Sequence, residues 1–136
     1  MPNRGLLNTV FFTAVAVSLV HYTDNYLAFE RFPNGGPGPK VTADAIWIAW
    51  VVLTACGTAG YVLYRRGAVR PAAALFAVYS ISGLIGLAHY TAPGMSGLAW
   101  WRHLHIWADI VCGAAVLAFA VWSVRAPSRG ATAASA

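Results

Sequence analysis

Four long apolar segments, separated by short stretches rich in Gly, Pro or charge, account for nearly the whole chain. Each is long enough, at a rise of about 1.5 Å per residue, to cross a hydrocarbon core roughly 30 Å thick. The predicted helices are about 6–29, 42–64, 71–91 and 98–124. We therefore expect an all-α membrane protein in which residues 1–125 form a four-transmembrane-helix bundle and residues 126–136 form a disordered cytoplasmic tail.

The composition agrees with a membrane location and excludes an ordinary soluble domain. Of 136 residues, 59% are hydrophobic and only 10% are charged. Frequent Gly and Ala suit helices that pack closely in lipid. The first segment lacks a convincing cleavage site and contains His21, Asp24 and Asn25 near its end, so we expect a retained helix rather than a signal peptide.

The net charge of +5 arises largely from arginines that flank the apolar segments. Because cytoplasmic loops of membrane proteins are enriched in Lys and Arg, this placement predicts that both termini are cytoplasmic. Six of the nine basic residues then lie inside: Arg4, Arg65, Arg66, Arg70, Arg125 and Arg129. The charge indicates a multi-pass topology in the cell membrane and no nucleic-acid partner.

Local signals mark the ends of the second and third segments. Thr42 or Asp44 is expected to cap the second helix, since a side-chain oxygen there accepts a bond from a free backbone N–H. Gly67 is placed to end that helix, and Pro71 suits the first position of the next. Cys56 and Cys112 lie inside apolar segments, where small buried side chains are the simplest interpretation.

All the acidic residues and all the histidines fall in the outer half of this topology, which was chosen from Lys and Arg alone. The acidic residues are Asp24, Glu30, Asp44 and Asp109, and the histidines are His21, His89, His103 and His105. Ionisable groups inside a membrane are costly and mark functional sites. The partition therefore predicts a polar site beneath the extracytoplasmic surface.

Depth and helical spacing bring five of these residues together. His21 and His89 lie near the outer ends of segments one and three, and His105 lies near the outer end of segment four. Asp24 is three residues from His21, and Asp109 is four residues from His105, so each carboxylate shares a helical face with an imidazole. Imidazole and carboxylate groups from several helices are typical metal ligands, which predicts a zinc, copper or iron site.

These residues favour a metal-dependent membrane hydrolase or oxidoreductase that acts on a lipid-like or small substrate. In this hypothesis His21, His89 and His105 hold the ion, and Asp24 or Asp109 completes the ligand set or acts as a base. Arg102 and Tyr90, together with Tyr22, would line the entrance, where a guanidinium suits an anionic group. A homodimer would cover the site further.

Three other functions remain open on the sequence, and one of them is a structural subunit of a larger complex. A b-type haem protein for electron transfer would use paired histidines as axial ligands, with Gly83 and Gly86 making room for the porphyrin. A metal-handling or transport protein would use the same cluster as an ion pathway. The general theme is similar to intramembrane zinc hydrolases of the ceramidase and adiponectin-receptor kind, whose motifs are not matched here residue by residue.

Overall fold

The structure, a computed structural model, describes residues 4–33 and 41–126. Four long helices account for most of these residues: α1 (Arg4–Leu27), α2 (Ala43–Arg65), α3 (Val69–Leu84) and α4 (Trp100–Arg125). Short 3₁₀ segments occupy Phe29–Arg31, Ile85–Thr91 and Met95–Gly97. The prediction of an all-α chain with four long apolar helices is confirmed, whereas the predicted tail beyond residue 126 lies outside the described residues.

The helices form an up-and-down bundle in which each helix packs against the next and α4 returns to α1. Their alternating direction places the end of α1, the start of α2 and the start of α4 together, and we call this the histidine end. The opposite end carries Arg4, Arg65 and Arg125, and we call it the arginine end. The fold thus gathers residues from distant parts of the sequence at the same depth.

The structure distinguishes between the predicted helix caps. The hydroxyl of Thr42, not the carboxylate of Asp44, accepts a bond from the backbone N–H of Ala45 at 3.2 Å. Gly67 has the positive φ of 90° that a helix-ending glycine adopts, as predicted. Helix α3 begins at Val69, so Pro71 is its third residue rather than its first, where the missing N–H still has no acceptor within the helix.

The pattern of the third apolar segment predicts one continuous α-helix over 71–91. In the structure the α-helix ends at Leu84 and a 3₁₀ helix follows over Ile85–Thr91. The change occurs between Gly83 and Gly86, and glycine is a poor helix former. Because residues three apart are eclipsed in a 3₁₀ helix, Gly86 and His89 point to the same side. Both lie against His21, whose ring centre is 5.5 Å from that of His89.

Two apolar clusters hold the bundle together. The larger lies toward the arginine end and includes Leu7, Phe11, Phe76, Val116 and Phe119. The smaller lies at the histidine end and contains Phe32, Met95, Leu98, Ile106 and Ile110. Outside these clusters, many large apolar side chains are exposed, and each of four helical segments is long and apolar enough to cross a membrane. So apolar an exterior is typical of a multi-pass membrane protein.

Candidate functional site

The deepest polar contact in the bundle joins α1 to α4. Nδ1 of His21 donates a hydrogen bond to Oδ2 of Asp109 over 2.7 Å, and both residues are only 1% exposed. A carboxylate accepts hydrogen bonds, so in the singly protonated imidazole the proton resides on Nδ1. The other nitrogen of His21, Nε2, is then left with a free lone pair.

A second carboxylate joins the same two helices nearer the histidine end. Asp24 receives two bonds from Arg102, from Nε to Oδ2 at 2.8 Å and from Nη2 to Oδ1 at 3.2 Å. Nε2 of His105 lies 3.2 Å from the same Oδ2. His105 therefore carries its proton on Nε2, which leaves the lone pair on Nδ1.

The third imidazole, on the 3₁₀ segment that follows α3, completes a row of rings. The centre of His21 lies 5.2 Å from that of His105 and 5.5 Å from that of His89. The amide nitrogen of Asn25 lies 3.4 Å from Nε2 of His89. His21 thus neighbours both of the other histidines, and each ring has a polar partner on one side; we call the three rings the histidine row.

Two of these ring nitrogens are buried without a hydrogen-bond partner. They are Nε2 of His21 and Nδ1 of His105, each on the opposite side of its ring from a carboxylate. A buried acceptor that lacks a partner costs about 1–3 kcal/mol, so such atoms are uncommon unless an ordered water or a ligand satisfies them. Both free lone pairs belong to the residues predicted to hold a metal.

Aromatic side chains cover the guanidinium of Arg102. Its central carbon lies 4.6 Å from the ring centre of Trp101 and 5.3 Å from that of Phe32. Phe32, which is 4% exposed, also lies 5.4 Å from the ring of His89. The partly buried ion pair between Arg102 and Asp24, together with Phe32, therefore lies beside the histidines at the histidine end of the bundle.

An apolar groove of about 470 Å³ runs along the seam between α1 and α4. Its lining residues are Ala16, Val17, Val20, Trp101, Leu104, His105 and Ala108. His105 is thus the member of the histidine row that adjoins a lateral opening. The groove faces the apolar exterior of the bundle rather than either end.

Other residues predicted to belong to the site lie apart from the histidine row. The hydroxyl of Tyr90 lies 3.1 Å from Nδ1 of His103 in an exposed pair. Tyr22 is buried and donates to the carbonyl oxygen of Ser82 at 2.8 Å, so it does not line an entrance. Asp44 is exposed, and Cys56 and Cys112 are both free thiols.

Sequence reasoning missed two contributors to this region. Asn25 lies near the end of the first segment and received no role from the sequence, although its amide is the polar neighbour of His89. Phe32 precedes the Pro/Gly-rich stretch and carries no helical pattern, so nothing in its surroundings pointed to a covering role. An aromatic residue next to a proline in an otherwise small and polar loop is the one available signal.

Replacing Arg102 with Lys is expected to lower the free energy of unfolding by about 1–2 kcal/mol, although the charge is kept. A single ammonium cannot reproduce the two parallel bonds to Asp24 or the stacking on Trp101 and Phe32. The measurement is denaturant unfolding in mixed micelles. Arg31→Lys, at an exposed position, is the matched control and should change stability by less than about 0.5 kcal/mol. Equal effects of the two variants would contradict the assigned contacts.

The histidine row supplies donor atoms of a kind that transition metals bind, but not an assembled ligand set. Imidazole nitrogen is a ligand for zinc, copper and iron, and two buried lone pairs are available. Among residues 4–33 and 41–126, however, no group of three His, Cys, Asp or Glu side chains is arranged to hold an ion. A porphyrin would need an open slot between two imidazole rings. The ring centres of His89 and His105 lie only 5.5 Å and 5.2 Å from that of His21.

The glycines that were considered as space for a porphyrin serve helix packing instead. A Cβ atom at Gly83 would meet the carbonyl oxygen of Asp109, and one at Gly86 would lie 3.1 Å from Ile110. Comparison with known proteins adds no assignment to this geometry. The chain matches no protein-family model, and no curated protein or solved structure matches it.

Proposed function

We propose that this chain is a four-span membrane protein that binds a zinc, copper or iron ion through His21, His89 and His105. The observation that carries the proposal is the pair of buried nitrogens, Nε2 of His21 and Nδ1 of His105, that have no partner. Each belongs to a ring whose other nitrogen faces a carboxylate. Metal-binding histidines commonly have this arrangement, because the carboxylate fixes the tautomer and makes the free nitrogen a better ligand.

The spacing of the rings supports shared ligation. Two imidazoles on one tetrahedral ion, each with a Zn–N bond of about 2.0–2.1 Å, have ring centres about 5 Å apart. His21 lies 5.2 Å from His105 and 5.5 Å from His89. Because no three donor side chains are arranged around one point among the described residues, binding requires the rings to turn toward a common centre.

In this proposal Asp24 and Asp109 orient the histidines. Their contacts with His105 and His21 leave the imidazole lone pairs free, which is the role of an outer carboxylate partner. Direct ligation by either carboxylate, and catalytic roles for Arg102 and Tyr90, stay predictions. A bound ion would supply a Lewis acid and an activated water to a substrate.

The substrate that suits this site is lipid-like. The groove between α1 and α4 is apolar, opens sideways and includes His105 in its lining. The partly buried ion pair between Arg102 and Asp24 lies nearer the ends of α4 and α1 than the histidines do, and so on the aqueous side of the site. An apolar chain would therefore approach His105 from within the bilayer, and a metal-dependent enzyme that acts on such a chain is the function we propose.

We infer that this site lies on the extracytoplasmic side of the cell membrane. Helices α2, α3 and α4 meet the arginine end at Arg65, Arg70 and Arg125, and the bias of basic residues toward the cytoplasm assigns that end to the inside. The histidine end then faces outward, and both termini are cytoplasmic.

Elemental analysis of protein purified from cells grown with zinc, copper and iron tests the metal site. The wild type is expected to carry a near-stoichiometric amount of one transition metal, and His89→Ala and His105→Ala should lose most of it because each removes a ligand nitrogen. His103→Ala is the control, since His103 bonds Tyr90 outside the row. Wild-type protein with no metal above background would overturn the proposal. An absorption spectrum of the same sample distinguishes haem b, which alone would give an intense Soret band.

A further inference from the structure

A second apolar groove, of about 500 Å³, runs along α4 toward the arginine end. It begins beside Leu84, in the middle of the bundle. On α4 it is lined by Ala114, Leu117, Ala118, Val121, Trp122 and Arg125. The small side chains of Ala114 and Ala118 form a depression one turn apart, so this surface is a channel rather than a ridge.

The length of this groove corresponds to one leaflet of a bilayer. Ala114 and Arg125 are separated by eleven residues of continuous helix, or about 16 Å. Half of a hydrocarbon core is about 15 Å thick. An acyl chain that starts at the arginine end would therefore reach the middle of the membrane alongside Ala114.

The charge at the end of the groove favours an anionic headgroup. Arg125 is exposed and forms no ion pair within the part of the chain that the structure describes. All four acidic residues lie in the opposite half of the bundle, so no Asp or Glu side chain competes for its guanidinium there. Trp122, three residues before Arg125 and 41% exposed, provides the indole that commonly sits at headgroup depth.

We propose that this groove binds an anionic phospholipid, with one acyl chain along Ala114, Ala118 and Val121 and the phosphate on Arg125. The proposal rests on the membrane location but not on the metal site. A guanidinium near the membrane surface attracts anionic lipid, and the apolar channel above it selects a lipid over a free phosphate. The lipid would pack against α3 and α4 and stabilise their contact.

Lipid titrations followed by native mass spectrometry test the assignment, with dioleoyl phosphatidylglycerol compared with dioleoyl phosphatidylcholine. The wild type should bind phosphatidylglycerol more tightly than phosphatidylcholine, and Arg125→Gln should weaken the binding of phosphatidylglycerol about fivefold. Ala118→Leu fills the channel and should weaken binding while the charge remains. Arg66→Gln removes an exposed charge at the same end but outside the groove, and it should bind like the wild type.

Three results would each overturn the proposal. These are equal affinity of the wild type for both lipids, equal losses in Arg66→Gln and Arg125→Gln, or full binding by Ala118→Leu. Metal content serves as an independent readout, because Arg125→Gln should leave it unchanged. Failure of the lipid site is thereby distinguished from failure of the proposed metal site.

Discussion

Replacing His21 with Leu is expected to lower the free energy of unfolding by about 3–5 kcal/mol. The substitution removes the donor to Asp109, whose carboxylate is 1% exposed and cannot recover water as a partner. A buried carboxylate left without its hydrogen-bond donor is among the most destabilising changes in a protein interior. The measurement is unfolding by sodium dodecyl sulfate in mixed micelles, with a chelator present so that metal binding does not contribute.

A double-mutant cycle separates this effect from the loss of packing. Asp109→Leu should lower the free energy of unfolding less than His21→Leu does. It leaves a buried imidazole, which can stay uncharged, whereas His21→Leu leaves a buried carboxylate. The double variant His21→Leu/Asp109→Leu should recover much of the stability, since no buried charge remains. His103→Leu, at a partly exposed position, should change stability by less than about 0.5 kcal/mol. A double variant no more stable than His21→Leu would show that the carboxylate is not the cause.

Replacing Gly83 with Ala should destabilise the bundle by about 1–3 kcal/mol or more. A Cβ at this position would meet the carbonyl oxygen of Asp109, and it would lie 3.0 Å from the Cα of Gly113. Both are backbone atoms that cannot rotate away, so α3 and α4 must separate. The same movement would displace Asp109 from His21, and the metal content should fall together with the stability.

Gly97→Ala is the matched control for this substitution. The Cβ of an alanine there would have no atom within 4 Å, so neither stability nor metal content should change appreciably. The thermal midpoint and the metal content of both variants can be measured on the same samples. A Gly83→Ala protein that behaves like Gly97→Ala would mean that the close approach of α3 and α4 does not position the site.

Together these contacts describe a site that is organised around two carboxylates rather than around one motif. Asp109 orients His21, and Asp24 orients His105 while it holds Arg102. Each carboxylate links α1 to α4. These links therefore fix the two helices relative to each other at the depth of the free imidazole nitrogens. The proposed metal site and the stability of the histidine end therefore depend on the same hydrogen bonds.

The sequence alone was sufficient to predict the four helices and to place the histidines at a common depth. Apolar length, arginines at the segment ends, and Pro/Gly-rich connections are local properties, and the direction of each span follows from counting crossings. Their agreement also predicted that His21, His89 and His105 would be neighbours. The change to a 3₁₀ helix after Leu84, between Gly83 and Gly86, was missed.

Only the tertiary structure decided which carboxylate serves which imidazole. Spacing within each helix associated Asp24 with His21 and Asp109 with His105, yet the contacts cross over, with Asp109 on His21 and Asp24 on His105. The rotation of each helix about its axis sets these partners. That rotation is determined by the close contact of Gly83 with Gly113 and by the packing of α1 against α4, neither of which a single helical pattern contains.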